Sequence, residues 1–411
     1  MKATHYIYIL FAALLTLTCV GCEDRLNIEK HGSLGGPENY YKTDAEAEAA
    51  VASMLISWRD VYSNWFYVKN LLSDDAYAGG GSRGDNAQME QLNEFTFFTD
   101  NSMISGLYSG LYTLVYKANL IIENVTGESP IMKRAVAEAK FYRAWAYLEL
   151  VTLWGTAPLV DHLLAPSEYH VSNSTPEVLW AFVEQNLEEA ISSNALPSKS
   201  GVDDADATSR VTLETAKAHL GKAYLFQGKY AEAAAILDEV IDSKKYELYR
   251  GDFDMLGHAV TNNCSEAMLE VQRRNNSEQA WNQFVQFYIM LGWRTSHMVY
   301  GPKALSEEGI SMGTYGFFNP TKSLYDAFVE REGVDGYRLH SSIRTYEQMN
   351  EIDMTINAGL YLIGNEGYFF WKTRLLGSDN IIDQSWFQSL QYTNLRVMRY
   401  AEVLLMAAEA H

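Results

Sequence analysis

The chain has 411 residues, 47% of them hydrophobic and 13% aromatic, long enough for two or three cores or one large helical assembly. Its 52 acidic and 32 basic residues leave a formal net charge of −20. That balance argues against polyanionic partners, nucleic acid and anionic membrane surfaces, and suits a neutral ligand or a basic partner, though solubility alone also explains it.

The N-terminus reads as a cleaved lipoprotein signal. Lys2 supplies a thin positive charge, and the apolar run Ile7 to Val20 is shorter than the roughly 20 residues a spanning helix needs. Gly21 precedes Cys22, and Glu23 and Asp24 follow it. A small residue before the cut and a thiol after it are what lipid attachment requires, so Cys22 is the expected lipidation site. Cys19 is the poorer acceptor, because Thr16-Leu17-Thr18 precedes it. Once residues 1–21 are removed, Cys264 has no disulfide partner if Cys22 is acylated. Residues 22–43 form a polar, lipid-anchored tether that ends in Pro37-Glu38-Asn39-Tyr40-Tyr41.

A helix is predicted over about 45–60, capped by Thr43 or Asp44. The loop after it holds Ser73-Asp74-Asp75 and the run Gly79 to Asn86. Helices are predicted over about 103–125, 131–154 and 175–194. Gly155 stops the second of these, and Pro176 opens the third. Residues 212–242 carry the spacing of a tetratricopeptide unit: Leu220-Gly221, Tyr224, Gly228, Tyr230, Ala233, Leu237 and Val240. One such unit cannot bury its own apolar face, so other helical pairs must stack on it.

From about 250 to 395 the helical periodicity fades. Short β-like runs appear at 267–271 and 368–371. Aromatics cluster irregularly at Trp281, Phe284, Phe287, Tyr288, Trp293, Tyr300, Tyr315, Phe317 and Phe318. A helical run from Arg399 to Ala410 then ends the sequence. The expected organisation is a signal at 1–21, a tether at 22–43, a helical part at 44–249, an aromatic-rich ligand-binding insertion at 250–395, and at 396–411 the start of a further helical pair, cut short.

Several landmarks in this order resemble the SusD/RagB family of outer-membrane nutrient-binding lipoproteins of Bacteroidetes. They are Cys22 with its acidic pair, Leu111-Tyr112 with Asn119, the segment Glu138 to Ala144 running on to Gly155-Thr156-Ala157-Pro158-Leu159-Val160, the tetratricopeptide-like unit, Pro320-Thr321, Asp335-Gly336-Tyr337-Arg338, and Arg399 to Leu405. Tyr108 departs from the pattern, standing where the family often has Trp, and Cys19 occupies the lipobox position usually held by Leu. The resemblance implies a mostly α fold, a SusD-like assembly of tetratricopeptide-type helical pairs with an irregular, partly β insertion. It also implies a lipid-anchored protein on the cell exterior that binds oligosaccharide, or in some members peptide, and acts as the lid of a SusC-like TonB-dependent transporter. It implies no catalysis.

Sugar rings present apolar C–H faces that stack on aromatic side chains, while amides and charged groups bond their hydroxyl rims. Trp281, Trp293, Tyr300 and Tyr315 are therefore the expected ligand contacts, with Asn86 and Arg83 from the early loop as polar partners. Any one aromatic, taken singly, is more often core. Gly79 to Gly84 formally satisfies G-x-G-x-x-G, but without a preceding strand it reads as a flexible loop. Asp74, Asp75 and Asp85 have oxygen ligands for Ca²⁺, but no EF-hand spacing, and read as a solvated acidic loop. No zinc, cofactor or nucleophile motif is present. A glycosidase would need only two carboxylates about 5–10 Å apart; the helical-repeat pattern weighs against it. A surface scaffold for protein partners is the other reading.

Overall fold

The computed structural model describes residues 40–281, 286–312, 314–357, 362–381 and 390–411. The signal, Cys22, most of the tether and Phe284 lie outside the described residues. The helical part opens with α1 (Asp44–Leu71), where Thr43 and Glu46 form a reciprocal capping box. This helix runs well past residue 60, because Val61, Tyr62, Tyr67, Val68 and Leu71 continue its buried face. The short strand β1 (Ala76–Gly79) and helix α2 (Ala87–Asn93) follow.

Three helices then pack in series: α3 (Ser102–Asn124), α4 (Pro130–Trp154) and α5 (Pro176–Ser192). Helix α4 starts at a Ser129 cap with Pro130 in its first turn and stops at Gly155, whose φ of 72° only glycine adopts readily. Every residue of it from Phe141 to Val151 is buried, so it is the central rod of the assembly. The strands β2 (Ala157–Pro158) and β3 (Asn173–Ser174) bracket the link to α5. The tetratricopeptide-like pair is α6 (Leu213–Phe226) and α7 (Tyr230–Asp242), joined through Gly228 at φ 71°.

The region after this pair is irregular, with short helices α8 (Gln286–Met290), α9 (Lys322–Glu332), α10 (Tyr337–Ser342) and α11 (Tyr346–Glu351). Its strands are β4 (Ala267–Val271), β5 (Met298–Tyr300), β6 (Phe317–Pro320), β7 (Ile343–Thr345), β8 (Met354–Ile356), β9 (Tyr368–Phe370) and β10 (Leu395–Arg399). All sheets among the described residues are two-stranded and antiparallel. The β4–β10 pair ties the start of this region to its end, and β10 leads directly into α12 (Tyr400–Ala410), which packs on α7. One apolar core runs through both parts of the chain: residues of α1, α3, α4, α6 and α7 share it with Phe287 to Leu291, Phe317, Phe318 and Leu395. A second cluster, built on Trp293, Met298, Met354, Phe369 and Trp371, lies wholly within the irregular region. No helix of the described residues is long and apolar enough to cross a membrane.

The α6–α7 crossing depends on a missing side chain. A Cβ on Gly221 would lie 2.6 Å from Leu237 Cδ2, and Leu237 is itself fully buried and has nowhere to move. Gly221→Ala is therefore expected to destabilise the protein by about 1–3 kcal/mol; an unchanged melting temperature would show that the crossing is looser than this.

His219 on α6 is buried edge-on against Phe141, with ring centroids 5.0 Å apart, and its Nδ1 lies 2.8 Å from the Thr215 carbonyl. Burial pushes its pKa down from 6.5 to about 4. Between those values the unfolded chain binds a proton that the folded chain refuses, so stability falls as pH drops through this window. His219→Gln is expected to remove up to about 3 kcal/mol of that acid loss. Denaturant titrations of both proteins between pH 4 and 7 measure the difference, and parallel curves would rule out the effect.

Candidate functional site

The most organised surface joins the early loop to the irregular region. Strand β1 pairs with β6, and Gly80 N–H extends the ladder to the Gly316 carbonyl at 2.8 Å. Arg294 locks this junction. Its Nη1 donates to Asp85 Oδ2 at 2.8 Å and to the Tyr315 carbonyl at 3.1 Å, and Asp85 Oδ2 also accepts from Gly81 N–H at 2.7 Å. The glycines here are a close-packing requirement. A Cβ on Gly81 would lie 2.4 Å from the Arg294 guanidinium carbon, and one on Gly80 2.8 Å from the Phe317 ring. The run Gly79 to Gly84 is thus a docked loop, correcting the expectation of a flexible one. Asp85 is committed to Arg294 and Gly81.

Arg83 and Asn86 continue the junction outward. The Arg83 guanidinium pairs with Glu90 at 3.1 Å and with both oxygens of Glu94, one of them 2.7 Å from Nη2. These carboxylates hold its pKa above the usual arginine range, and Arg83 keeps the Glu94 carboxyl below the usual carboxylate range. Asn86 Oδ1 caps α2 by accepting from Met89 N–H at 3.2 Å, so its acceptor is already used locally. Directly after Glu94 the chain turns through Phe95, at φ 55°, and presents three rings to solvent: Phe95 is 60% exposed, Phe97 37% and Phe98 73%. Asn101, fully buried, anchors the far end of this turn by capping α3 and donating to Gln88 and Gln91. The sequence reading missed these phenylalanines. Their signal was an F-x-F-F run in a polar loop, where burial has no helix or strand face to explain it.

The expected aromatic contacts divide. Tyr315 is 45% exposed and sits on the junction through its backbone bonds to Arg294 and Ile289. Trp281 is 51% exposed, but it follows Ala280, which belongs to a separate small cluster with Ile381 and Leu390. Trp293 is a correction: at 4% exposed it is a core residue, its indole 6.3 Å from that of Trp371, and no ligand surface reaches it. Tyr300 is half-buried against the same cluster, its hydroxyl 3.4 Å from Thr295 Oγ1, and burial pushes its pKa up to about 12. The physical reason is that the irregular region must supply its own second core, and large aromatics are the cheapest way to fill it. The structure therefore brings Arg83, Asn86 and Tyr315 onto one linked surface, and sends Trp293 and Tyr300 inward.

A stack of helical pairs with a sheet-poor insertion docked on its first loop defines a helical-repeat protein in form. Residues 36–225 match the family model SusD-like_3, described as starch-binding associating with outer membrane. SusD-like protein P2 of Formosa agariphila is 30% identical over 247 residues, which are 56% of this chain and 45% of that protein. A SusD-like protein of Bacteroides ovatus is 24% identical over 255 residues, 57% of this chain and 43% of its own length. The chain thus spans less than half the length of these relatives. Among solved structures, a laminarin-binding SusD-like protein superposes with a TM-score of 0.75 at 29% identity, covering 90% of this chain and 80% of that one. Surface glycan-binding protein A from Bacteroides thetaiotaomicron, in complex with laminarihexaose, superposes with a TM-score of 0.72 at 20% identity over 90% and 79% of the two chains. The family model, the curated relatives and the superposed structures all support the SusD/RagB family for this chain.

Proposed function

We infer that the protein captures oligosaccharide at the outer membrane and does not turn it over. The observation that carries this reading is the exposure of Phe95 and Phe98 on the turn that Asn101 anchors after α2, and of Tyr315 on the junction that Arg294 holds in place. Exposed rings on a fixed loop have little conformational entropy left to lose, and each offers a flat apolar face to a sugar. The charged rim formed by Arg83 and its two glutamates bonds hydroxyls in either direction. The laminarin-binding relative makes a glucan the first ligand to test. In this reading Cys22 carries the lipid anchor, the protein faces the cell exterior, and it serves as lid to a SusC-like TonB-dependent transporter.

Calorimetry with laminari-oligosaccharides is expected to show binding on the order of micromolar or weaker, since hydroxyl desolvation offsets most of the contact gain. Phe95→Ala with Phe98→Ala should weaken it at least tenfold while the melting temperature holds. Undiminished heat in that double variant would remove the surface from consideration, and release of reducing ends would turn the reading toward an enzyme. Cys22→Ala is expected to move the protein from the outer-membrane fraction to the soluble one, because the acyl chains contribute about 0.8 kcal/mol per buried CH₂. Retention in the membrane would sink the anchor. Cross-linking on intact cells that yields no β-barrel partner would sink the lid role.

A further inference from the structure

A cavity of about 260 Å³ lies between α1 and the closing segments of the irregular region, apart from the junction described above. Tyr62 and Phe66 of α1 form its apolar wall, braced by Phe287, whose ring meets theirs edge-on at centroid distances of 5.3 and 4.7 Å. The opposite side is polar, and three of its polar atoms lack a partner among the described residues. His258 is 2% exposed; its Nδ1 lies 2.8 Å from Asp379 Oδ2, while Nε2 is buried with no partner among the described residues. A carboxylate accepts, so Nδ1 carries a proton towards Asp379 and Nε2 is left to bond a group in the cavity. Thr393 Oγ1 and Arg374 Nε are likewise buried and without a partner among the described residues, although both residues line the cavity. Buried polar atoms are seldom left without partners, and three around one cavity call for something that bonds them there.

The charge of the lining narrows what that is. Lys372, Arg374, Arg396 and Arg399 contribute four cations against the single carboxylate of Asp379. Arg374 pairs with Asp254, Arg396 with Glu270 and Arg399 with Glu266. Lys372 alone among them forms no ion pair with a described residue. The residue reaches solvent, yet its ammonium is desolvated and crowded by Arg399 and Arg396, which pull its pKa down to about 8. In a chain of net charge −20 such a site is local and specific.

We propose that this cavity is a second binding site, for a single acidic monosaccharide such as a hexuronate. The carboxylate pairs with Lys372 at the open edge. A ring hydroxyl bonds His258 Nε2, Thr393 Oγ1 bonds a second hydroxyl, and Arg374 Nε donates to an oxygen of the same ring. Tyr62 and Phe66 cover the C–H face. The volume lies below the roughly 300–1,000 Å³ of sites for larger ligands, which limits the occupant to about one ring.

Calorimetry and saturation-transfer NMR with glucuronate, glucose and acetate test this. Saturable glucuronate binding is expected, at least tenfold tighter than either glucose or acetate, because only glucuronate offers both ring and charge. Lys372→Met, at the solvent edge, should cost at least tenfold in glucuronate affinity. Thr393→Val, which keeps the side-chain shape, should cost several-fold, and the melting temperatures of both variants should stay within a few degrees of the parent. Laminari-oligosaccharide binding should survive Lys372→Met, and glucuronate binding should survive Phe98→Ala, so failure at one site is distinguishable from failure at the other. Absence of a saturable glucuronate signal at millimolar concentration, equal binding of glucose, or parental affinity in Lys372→Met would each overturn the proposal.

Discussion

The helical part is organised around the buried guanidinium of Arg143. Arg143, 6% exposed at the middle of α4, is held on every side. Its Nε and Nη2 donate to Asn186 Oδ1 of α5 at 2.9 and 2.7 Å, and its Nη1 to Asn119 Oδ1 of α3 and to the Asp161 carbonyl, both at 2.8 Å. The Phe182 ring lies 4.9 Å from the guanidinium carbon. A buried cation without such partners costs several kcal/mol, so α3, α5 and the segment after α4 are constrained to meet at this point. The same segment is caught from both sides: Asn119 Nδ2 donates to the Val160 and His162 carbonyls, Tyr112 donates to the Pro158 carbonyl, and Val160 N–H donates to Tyr147 Oη. Landmarks scattered through the sequence, Tyr112, Asn119, Arg143, Pro158 and Val160, are one hydrogen-bonded unit.

A second, more exposed ion network sets how α1 lies on this rod. Glu48 of α1 receives Arg134 of α4 and Arg210 from the loop before α6, and Arg210 also reaches the buried Glu138. Lys69, near the other end of α1, donates to Glu149, itself 2% exposed. Opposite charges at both ends of a 28-residue helix fix its rotation, and with it the direction of Tyr62 and Phe66. Those rings pack on Phe287 and Phe318, so the orientation of the first helix is passed to the irregular region through an aromatic contact. The junction at Arg294 is the polar counterpart of that contact. The function inferred here needs both: loops that bind ligands must be fixed by a scaffold whose own polar groups are satisfied.

Much of the helical frame was legible in the sequence, because it is written in local chemistry. Thr43 with Glu46, Ser129-Pro130, Thr175-Pro176 and Gly155 mark helix ends by satisfying or releasing a few backbone groups within one turn. The Gly221 and Ala233 spacing located the α6–α7 pair because close helix crossings tolerate only small residues. The lipidation reading at Cys22 rests on linear sequence alone and lies outside the described residues.

Tertiary structure alone decided which aromatics face solvent. Trp293 and Tyr315 lie in the same stretch with the same irregular spacing, yet one fills a core with Trp371 and the other stays on the surface. No period of 2 or 3.6 separates them, because the region's short strands pair with partners tens of residues away or more: β1 with β6, β5 with β8, β4 with β10. Likewise the triple glycine looked mobile in isolation and is packed because Arg294, more than two hundred residues later, lies against it. The unpaired atoms of His258, Arg374 and Thr393 have no sequence signature at all. A hydrogen-bond vacancy is a property of what surrounds a side chain, and only the folded chain supplies the surroundings.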